Sequence, residues 1–537
     1  MKEKLIILGA GVMQGPVINT AKELGYYTIA LDGSSAAPCI SLADQFEQID
    51  LKDKEGIEKF ARSIKGTADR LGIMTAGTDF SANVAWVAEK LGLPGIPYEA
   101  ALNASDKARM RECFKKAALP SPDFITITSA DLPLASKSKL SKLDFPLVIK
   151  PVDNMGSRGC RRVDNAEELN EAAKTAISFS RSGRAILESY MEGPEFSVDA
   201  IVYHGEITIC GLADRHIFFP PYFIEMGHTM PTVIKEEKQT AILDTFRAGI
   251  HALGLDGKES IGAAKGDIKL TAKGAMIGEI AARLSGGYMS GWTYPYSSGA
   301  LPIKGAILAA MGREPEGLVP VKKWTCAERA FISIPGTVKE IKGIEKAKSA
   351  NGVNDLFLRI EKGSKVSFPE NNVTKCGNVI ASAENRETAI QTAETAAQSI
   401  LIRLDPADPE TKEFLSSASA FPPDAFQLTD ELKVALSHIP DSFSPNDEKL
   451  PTTQIYPFPA FTSSNLKDYM GRTVEEVLNI VRLLTGFPIP VTSENAENII
   501  RLGRSFWTAL IRGSYQGAVC YIDSLGAKID SKPLQKS

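Results

Sequence analysis

Residues 145–160 read FPLVIKPVDNMGSRGC, and residues 185–199 read AILESYMEGPEFSVD. The first run predicts a short buried strand that ends in Lys150 and then turns at Gly156-Ser157-Arg158-Gly159. An amphipathic helix fills the interval. The second run predicts a strand bearing Glu188 and, past a turn at Gly193-Pro194, Glu195. A lysine at the mouth of an apolar strand, followed by a loop of free backbone N–H groups, suits a polyphosphate: the ammonium supplies charge and the glycines let the main chain come close. The order is not that of a P-loop, G-x-x-x-x-G-K-[ST], because here the lysine precedes the glycines. A nucleotide site of another kind is expected.

Upstream, the strand KLIIL feeds Gly9-Ala10-Gly11 and a helix through Leu24, and a second strand ends at Asp32. This is a β-turn-α-β unit with an acidic residue where a ribose-binding carboxylate would sit. The spacing G-x-G-x-x-x-G departs from the dinucleotide fingerprint, so a crevice for an acceptor substrate is preferred to one for NAD. The strand–helix pattern continues to about residue 104, giving a small doubly wound domain. Ser105 or Asp106 then caps a helix whose first turn holds Lys107, where the dipole adds to the attraction for an anion. Taken alone, Lys107 reads more readily as a solvated lysine in a helix's first turn. The prolines of LPSPDFITI mark a turn into a strand, and the polar stretch 129–142 reads as a loop.

Downstream, residues 263–287 read AAKGDIKLTAKGAMIGEIAARLSGG. Two strands, KGDIKLT and AMIGEIA, joined by a tight Ala-Lys-Gly turn, set Asp267 and Glu279 on neighbouring strands with side chains toward one face. Two carboxylates on a polyphosphate pocket suit Mg²⁺, which takes one or two protein carboxylates and completes its shell with phosphate and water. The rival reading, surface cross-strand charges, loses weight because both strands are otherwise apolar. Arg283 follows Glu279 by four residues. A helix is expected over 302–311, closed by Gly312. Short strands with glycine turns then run from about Glu328 to Leu401, with a helix expected over 386–403 and a linker at 405–424. The tail predicts helices around 428–438, 466–485 and 495–513 with a Pro-rich interval between the first two. Its aromatics, Tyr456, Phe458, Phe461 and Trp507, are expected to fill a core.

Composition bounds the remainder. A chain of 537 residues holds several domains. A formal charge of -4 argues against nucleic acid or an anionic membrane as partner. The seven cysteines are scattered and form no C-x-x-C pair, which fits a reducing cytosol with neither a disulfide framework nor a zinc site. The apolar start stops too soon for a signal peptide, and no apolar run approaches the ~18–20 residues of a membrane span. A cytoplasmic protein is expected.

With these residues in place, the chain resembles the ATP-grasp superfamily, in the branch of carbamoyl-phosphate synthase large chain, biotin carboxylase and the carboxylate–amine ligases. The likeness covers about residues 1–405. Four ordered signals carry it: Ser105-Asp106-Lys107; the run from Phe145 to Pro151 with its Gly-Ser-Arg-Gly loop; Glu188-x6-Glu195; and Asp267 with Glu279-x3-Arg283. The resemblance implies an α/β and α+β multidomain fold. Its parts would be a Rossmann-like pre-ATP-grasp domain over 1–104, a two-lobed ATP-grasp domain over 105–315, a small β-rich domain with a packing helix over 320–405, and a mainly helical C-terminal domain over 424–537.

The same resemblance implies roles. Lys107 and Lys150 would touch ATP phosphates, and the loop with Gly156, Ser157 and Gly159 would fold over them. The hinge from Glu188 through Ser189 to Met191 would present backbone groups to adenine, and Glu195 would take the ribose hydroxyls. Asp267 and Glu279 would hold Mg²⁺ or Mn²⁺, Arg283 would face an acyl phosphate, and His228 would lie near the nucleotide. One departure stands out: the family usually reads Glu-x-Asn-x-Arg, and here Ala281 replaces the asparagine that would be a further metal ligand.

The implied reaction joins a carboxylate to an amine through an acyl phosphate, releasing ADP and phosphate, with small-molecule substrates as partners. A bicarbonate-phosphorylating enzyme, an ATP-binding regulatory module without turnover and, last, a dehydrogenase remain alternatives. The tail has dimerisation, lid control or partner docking open to it. Loops 211–235 and 284–300, rich in aromatics, are the expected selectors of substrate.

Overall fold

The computed structural model describes residues 2–134, 143–439, 465–487 and 502–529. The expectations for Tyr456, Phe458, Phe461, residues 135–142, most of the Pro-rich interval and residues 495–501 lie outside them. Two compact units form. The first comprises the described residues up to Glu328 together with Glu370–Asn372 and Ile380–Gln391; the second comprises Arg329–Pro369, Val373–Val379 and the described residues from Thr392 onward.

In the first unit β1 (Lys2–Leu8), β2 (Tyr27–Asp32), β3 (Gln45–Gln48) and β4 (Ala68–Met74) form a parallel sheet in the order β3-β2-β1-β4. Strand alternation explains why β1 is apolar at every central position. Leu5 and Ile7 join a core with the helices Gly15–Glu23 and Pro302–Ala310, while Ile6 and Leu8 join another with the helices Lys54–Lys65 and Ser81–Leu91. A sheet covered on both faces leaves its loops as the only open edge.

Two antiparallel sheets follow. The smaller is formed by β5 (Phe124–Thr128), β6 (Leu147–Pro151), β7 (Arg161–Val163) and β8 (Arg184–Ser189) in the order β5-β8-β6-β7. Its apolar face is covered by the helix Ala166–Phe179, whose N-terminus is capped by the Asn165 side chain accepting from the N–H groups of Glu167 and Glu168. The larger runs β13-β12-β9-β10-β11 through β9 (Glu195–Tyr203), β10 (Glu206–Phe218), β11 (Ile224–Met230), β12 (Ile261–Thr271) and β13 (Gly274–Ala281). The helix Glu236–Leu253 packs on it through Ile242, Phe246 and Ile250. Close approach is built in at Gly266, where a Cβ would stand 2.4 Å from the Phe246 ring. β5 through β8 and β9 through β13 are the two lobes that carry the candidate site.

The second unit contains β15 (Gly336–Lys342), β16 (Val353–Leu358), β17 (Lys365–Val366) and β19 (Leu401–Leu404), and most residues of β14 (Thr325–Phe331) and β18 (Gly377–Ala383) border the division between the units. β17, β15 and β19 form a sheet in that order. Two expectations are corrected here. The helix expected over 386–403 ends at Ser399, because Leu401, Ile402 and Leu404 are buried and pair with β15 instead of continuing the turn. The segment 405–424 is not a bare linker: Asp408 caps a helix over Pro409–Ser416 by accepting the Glu410 N–H, with proline at the first helical position.

The tail forms helices over Asp430–Ser437, Val474–Thr485 and Arg504–Ile529. The last runs well past the expected end at 513, broken only by non-helical backbone at Gly513 and Ser514. Phe506, Trp507 and Leu510 are buried against Val477, Leu478 and Val481. The same helix docks on β19: the Tyr515 hydroxyl accepts the Ile402 N–H at 2.9 Å, and Arg403 meets Asp523 at 2.6 Å. Residues 329–369, 373–379 and 392–404 and the described residues of the tail therefore share one compact unit. Among the described residues no helix is long and apolar enough to cross a membrane.

Candidate functional site

Lys107 opens the helix Lys107–Lys116, and Asp106, the second of the two expected caps, accepts the N–H groups of Ala108 and Arg109. The capped end fixes the Lys107 side chain inward. It is 7% exposed, far from a solvated lysine, and its Nζ donates to the Asn154 carbonyl at 2.8 Å and meets Glu279 Oε1 at 3.3 Å. Burial works against its charge, but Glu279 and then Asp79 more than restore it, so its pKa is raised.

Lys150, on β6, reaches Glu188 Oε2 on the neighbouring strand β8 at 2.7 Å. Glu188 is buried, and its other oxygen accepts from Arg111 Nε at 2.8 Å. Burial raises its pKa, and Arg111 and then Lys150 bring it down below the ordinary value. Its carboxylate thus faces inward, where it orients Lys150. Past it the chain is held as a hinge: Ser189 N–H donates to the Asp123 carbonyl at 3.0 Å, and the Met191 carbonyl accepts from Lys269 Nζ at 3.0 Å.

The turn after β6 belongs to a β6–β7 hairpin. Gly156, Ser157 and Gly159 lie at φ +68°, +59° and +68°. At Gly159 a Cβ would stand 2.9 Å from the Phe179 side chain, so both conformation and space require glycine.

The opposite lobe brings the acidic pair together. Asp267 on β12 and Glu279 on β13 are partners in register. Asp267 accepts from Ser197 Oγ at 3.1 Å, pairs with Arg215 Nη1 at 2.8 Å and contacts Lys265 Nζ. At Glu279 burial opposes ionisation, yet Lys107, Lys265, Lys150 and Arg283 together hold its carboxyl well below the usual carboxylate range. Four cations drawn from both lobes therefore face one carboxylate. Ala281, opposite Lys265 in register, offers only a methyl group.

Arg215 ties these groups into one network. It contacts Glu195 at the start of β9, Glu225 on β11 and Asp267, and Lys269 Nζ lies 3.8 Å from Glu195 Oε2. His228 continues it: Nε2 is 3.5 Å from Glu225 and Nδ1 is 3.2 Å from Glu328, both carboxylates. Burial disfavours the imidazolium, but Glu225 and Glu328 outweigh it and raise the pKa to about 9. Held as a cation between two carboxylates, His228 has no lone pair with which to accept a proton.

Arg283 Nη1 donates to the Leu284 carbonyl at 3.0 Å, and the next residue is clamped by Asp199. The Asp199 carboxylate accepts the Ser285 N–H at 2.9 Å and the Ser285 hydroxyl. Burial pushes its pKa up to about 6, with the Ser285 hydrogen bonds opposing.

The N-terminal glycine turn is closed on itself. Gln14 folds into it, accepting the Gly11 N–H at 3.0 Å and donating to the Ala76 carbonyl, while Asp32 accepts the Ala10 N–H at 2.9 Å and the Ser34 N–H at 2.9 Å. The carboxylate expected at a ribose is spent on its own loop.

Arg111, Arg215, Lys265 and Lys269, with the acids Asp199, Glu225 and Glu328, are charged residues that the sequence alone did not single out. For two of them a signal existed: strand alternation places Lys265, Asp267 and Lys269 on one face. Arg111 follows Lys107 by one helical turn, whereas Arg215 had no local mark at all.

Comparisons with known proteins address the same segments. Residues 143–290 match the family profile described as ATP-grasp domain, and residues 330–405 match the one described as L-amino acid ligase C-terminal domain 2. The chain is 25% identical over 338 residues to the uncharacterized protein y4rH of Sinorhizobium fredii, covering 62% of this chain and 68% of that one. It is 28% identical over 212 residues to a D-alanine–D-alanine ligase of Marinobacter nauticus, covering 37% of this chain and spanning only 63% of the length of that ligase. Among solved structures, an L-amino acid ligase from Bacillus licheniformis superposes with a TM-score of 0.65 at 23% identity, covering 75% of this chain and 99% of that one. That likeness is one of fold.

Proposed function

We propose that the chain is an ATP-grasp protein of the ATP-dependent ligase type, which phosphorylates an amino-acid carboxylate and passes the acyl group to the amine of a second amino acid. A carboxylate oxygen attacks the γ-phosphorus of ATP, the bond to the β,γ-bridging oxygen breaks, and ADP leaves. The amine nitrogen then attacks the acyl carbon, phosphate departs, and the nitrogen loses a proton to give the amide. The matched C-terminal profile, named for L-amino acid ligases, favours amino acids as both substrates. The aromatic residues of loops 211–235 and 284–300 suit the same choice.

The observation that carries this reading is the meeting of Lys107 with Glu279 at 3.3 Å beside its register partner Asp267, which Arg215 meets at 2.8 Å and Lys265 contacts, with Lys150 and Arg283 adding to the charge that lowers the Glu279 pKa. Ammonium and guanidinium groups from two lobes, interleaved with carboxylates, suit a chain of phosphates bound with a cation. Lys107 and Lys150 would hold phosphate oxygens, and Arg283 would face the charge that develops at the acyl phosphate. The turn at Gly156, Ser157 and Gly159 would cover the phosphates and exclude water. The hinge from Glu188 to Met191 would receive adenine, with the Glu188 side chain acting through Lys150, and Glu195 would take the ribose. His228 would act as a positioning residue, since it meets Glu225, one of the carboxylates that hold Arg215, and Glu328.

The donor set fits magnesium. Asp267 and Glu279 would hold it, two carboxylates being what the ion takes from protein when phosphate and water fill the remaining positions. When bound, Mg²⁺ supplies positive charge to the phosphates; Ala281 leaves one more position to water or phosphate than an asparagine would.

The test is ADP release measured over pairs of proteinogenic amino acids, followed by mass spectrometry of the product. Release that requires both partners, with a dipeptide mass, is expected. Lys150→Ala and Glu279→Ala should each slow it by about a hundredfold or more. Release driven by bicarbonate alone, or none with any pair, overturns the proposal.

A further inference from the structure

Asn372 sits between the glycine turn and β11. Its backbone N–H donates to the Gly156 carbonyl at 3.0 Å, and its side-chain Nδ2 lies 3.5 Å from Ser157 Oγ. On its other side Oδ1 accepts the Glu225 N–H at 2.8 Å. Glu225 in turn accepts from Arg215 Nε at 3.1 Å, and Arg215 reaches Glu195 and Asp267. One asparagine thus spans the turn and the strand whose acid anchors the cation network.

The turn itself needs such a partner. Ser157 holds φ +59° without being glycine, and the bonds inside the turn include Cys160 N–H to the Ser157 carbonyl at 3.1 Å and the Arg158 N–H and Nε to the Met155 carbonyl at 3.4 and 3.0 Å. A residue in the left-handed region persists when surrounding contacts over-determine it. Asn372 touches both Gly156 and Ser157, two of the three residues at which the turn takes positive φ.

We propose that Asn372 is a positioning residue, a latch that holds the glycine turn in its closed register and ties closure to the Glu225–Arg215 pair. The inference rests on reading that turn as the cover of a polyphosphate. With the latch made, the cover and the cations of the opposite lobe are set by one side chain. With it broken, the turn opens more often, nucleotide is held less well, and water reaches the acyl phosphate before the amine does.

Hydrogen–deuterium exchange on the full-length chain, without nucleotide, reads the latch directly. In Asn372→Ala the amides of Gly156–Cys160 should exchange about tenfold faster, the loss of one or two hydrogen bonds to a local structure, while the rest of the chain keeps its protection. Ser157→Ala breaks the contact from the turn side and should move the same amides, which covers the case in which the first variant does not fold. Turnover reads the consequence: Asn372→Ala should raise the KM for ATP about tenfold with a smaller loss of kcat, and release more than one ADP per amide formed. Asn372→Asp, which keeps the acceptor for Glu225, should recover part of the exchange protection. Unchanged exchange in both Asn372→Ala and Ser157→Ala, in protein that turns over ATP, overturns the latch. Faster exchange in protein that neither binds nor hydrolyses ATP supports the latch and removes instead the ligase reading on which its purpose rests.

Discussion

His228 shows how a single residue's surroundings decide its chemistry. As one histidine in IEMGHTMP it reads equally as a nucleotide contact or a structural group, and only the fold reveals Glu225 and Glu328 on either side of the ring. With a pKa raised from 6.5 to about 9, its contribution to stability is complete below pH 6.5 and is lost as pH rises through 9. Chemical denaturation of wild type and His228→Gln across that range should show the gap between them narrowing by up to about 3 kcal/mol. A gap that stays constant removes the imidazolium assignment. The lysines and acids of the site were easier to read, because Lys150, Glu188, Asp267 and Glu279 each stand in a run whose strand character is plain. Arg215 was not, since an arginine in a strand of mixed polarity carries no mark until three acids from other strands are seen to meet it.

At the level of elements, the turn between β6 and β7 depends on glycine at its far end. Gly159→Ala would place a methyl group in the left-handed region and within 2.9 Å of Phe179, a cost of about 1–3 kcal/mol to the closed turn. Thermal melts should move little, because the turn lies outside the cores, while the KM for ATP should rise several-fold; an unchanged KM would show that the turn does not cover the phosphates. The hairpin β12–β13 and the β1–β2 unit were legible from alternation and from glycine position. Residues 400–404 were not: an alanine-rich helix precedes them, and LIRL has the composition of either element until β15 is seen to supply a pairing edge. The helix Pro409–Ser416 was likewise hidden by its flanking prolines and serines, although Asp408 followed by proline is a cap signal that could have been read.

On the scale of the whole molecule, the two units differ in what their sequence discloses. The first carries ordered charged signals; the second is organised by contacts between residues far apart in the chain, such as the Ile402 N–H with the Tyr515 hydroxyl, which no local pattern encodes. Trp507 is completely buried in the core of that second unit, so Trp507→Ala should lower its unfolding free energy by about 3–5 kcal/mol, measured by calorimetry. A shift below about 1 kcal/mol would mean that the tail helix adds little to that core. Charge is also distributed unevenly over the chain: a net -4 overall, but a site in which Lys107 already answers Glu279, and Arg215 and Lys265 answer Asp267. Such a cavity carries its own counterions. On the proposed reading, a nucleotide entering with its cation would exchange partners with groups that are already neutralised, so ionic strength, which governs encounter where a bare patch of one sign attracts its ligand from afar, would have little to screen here.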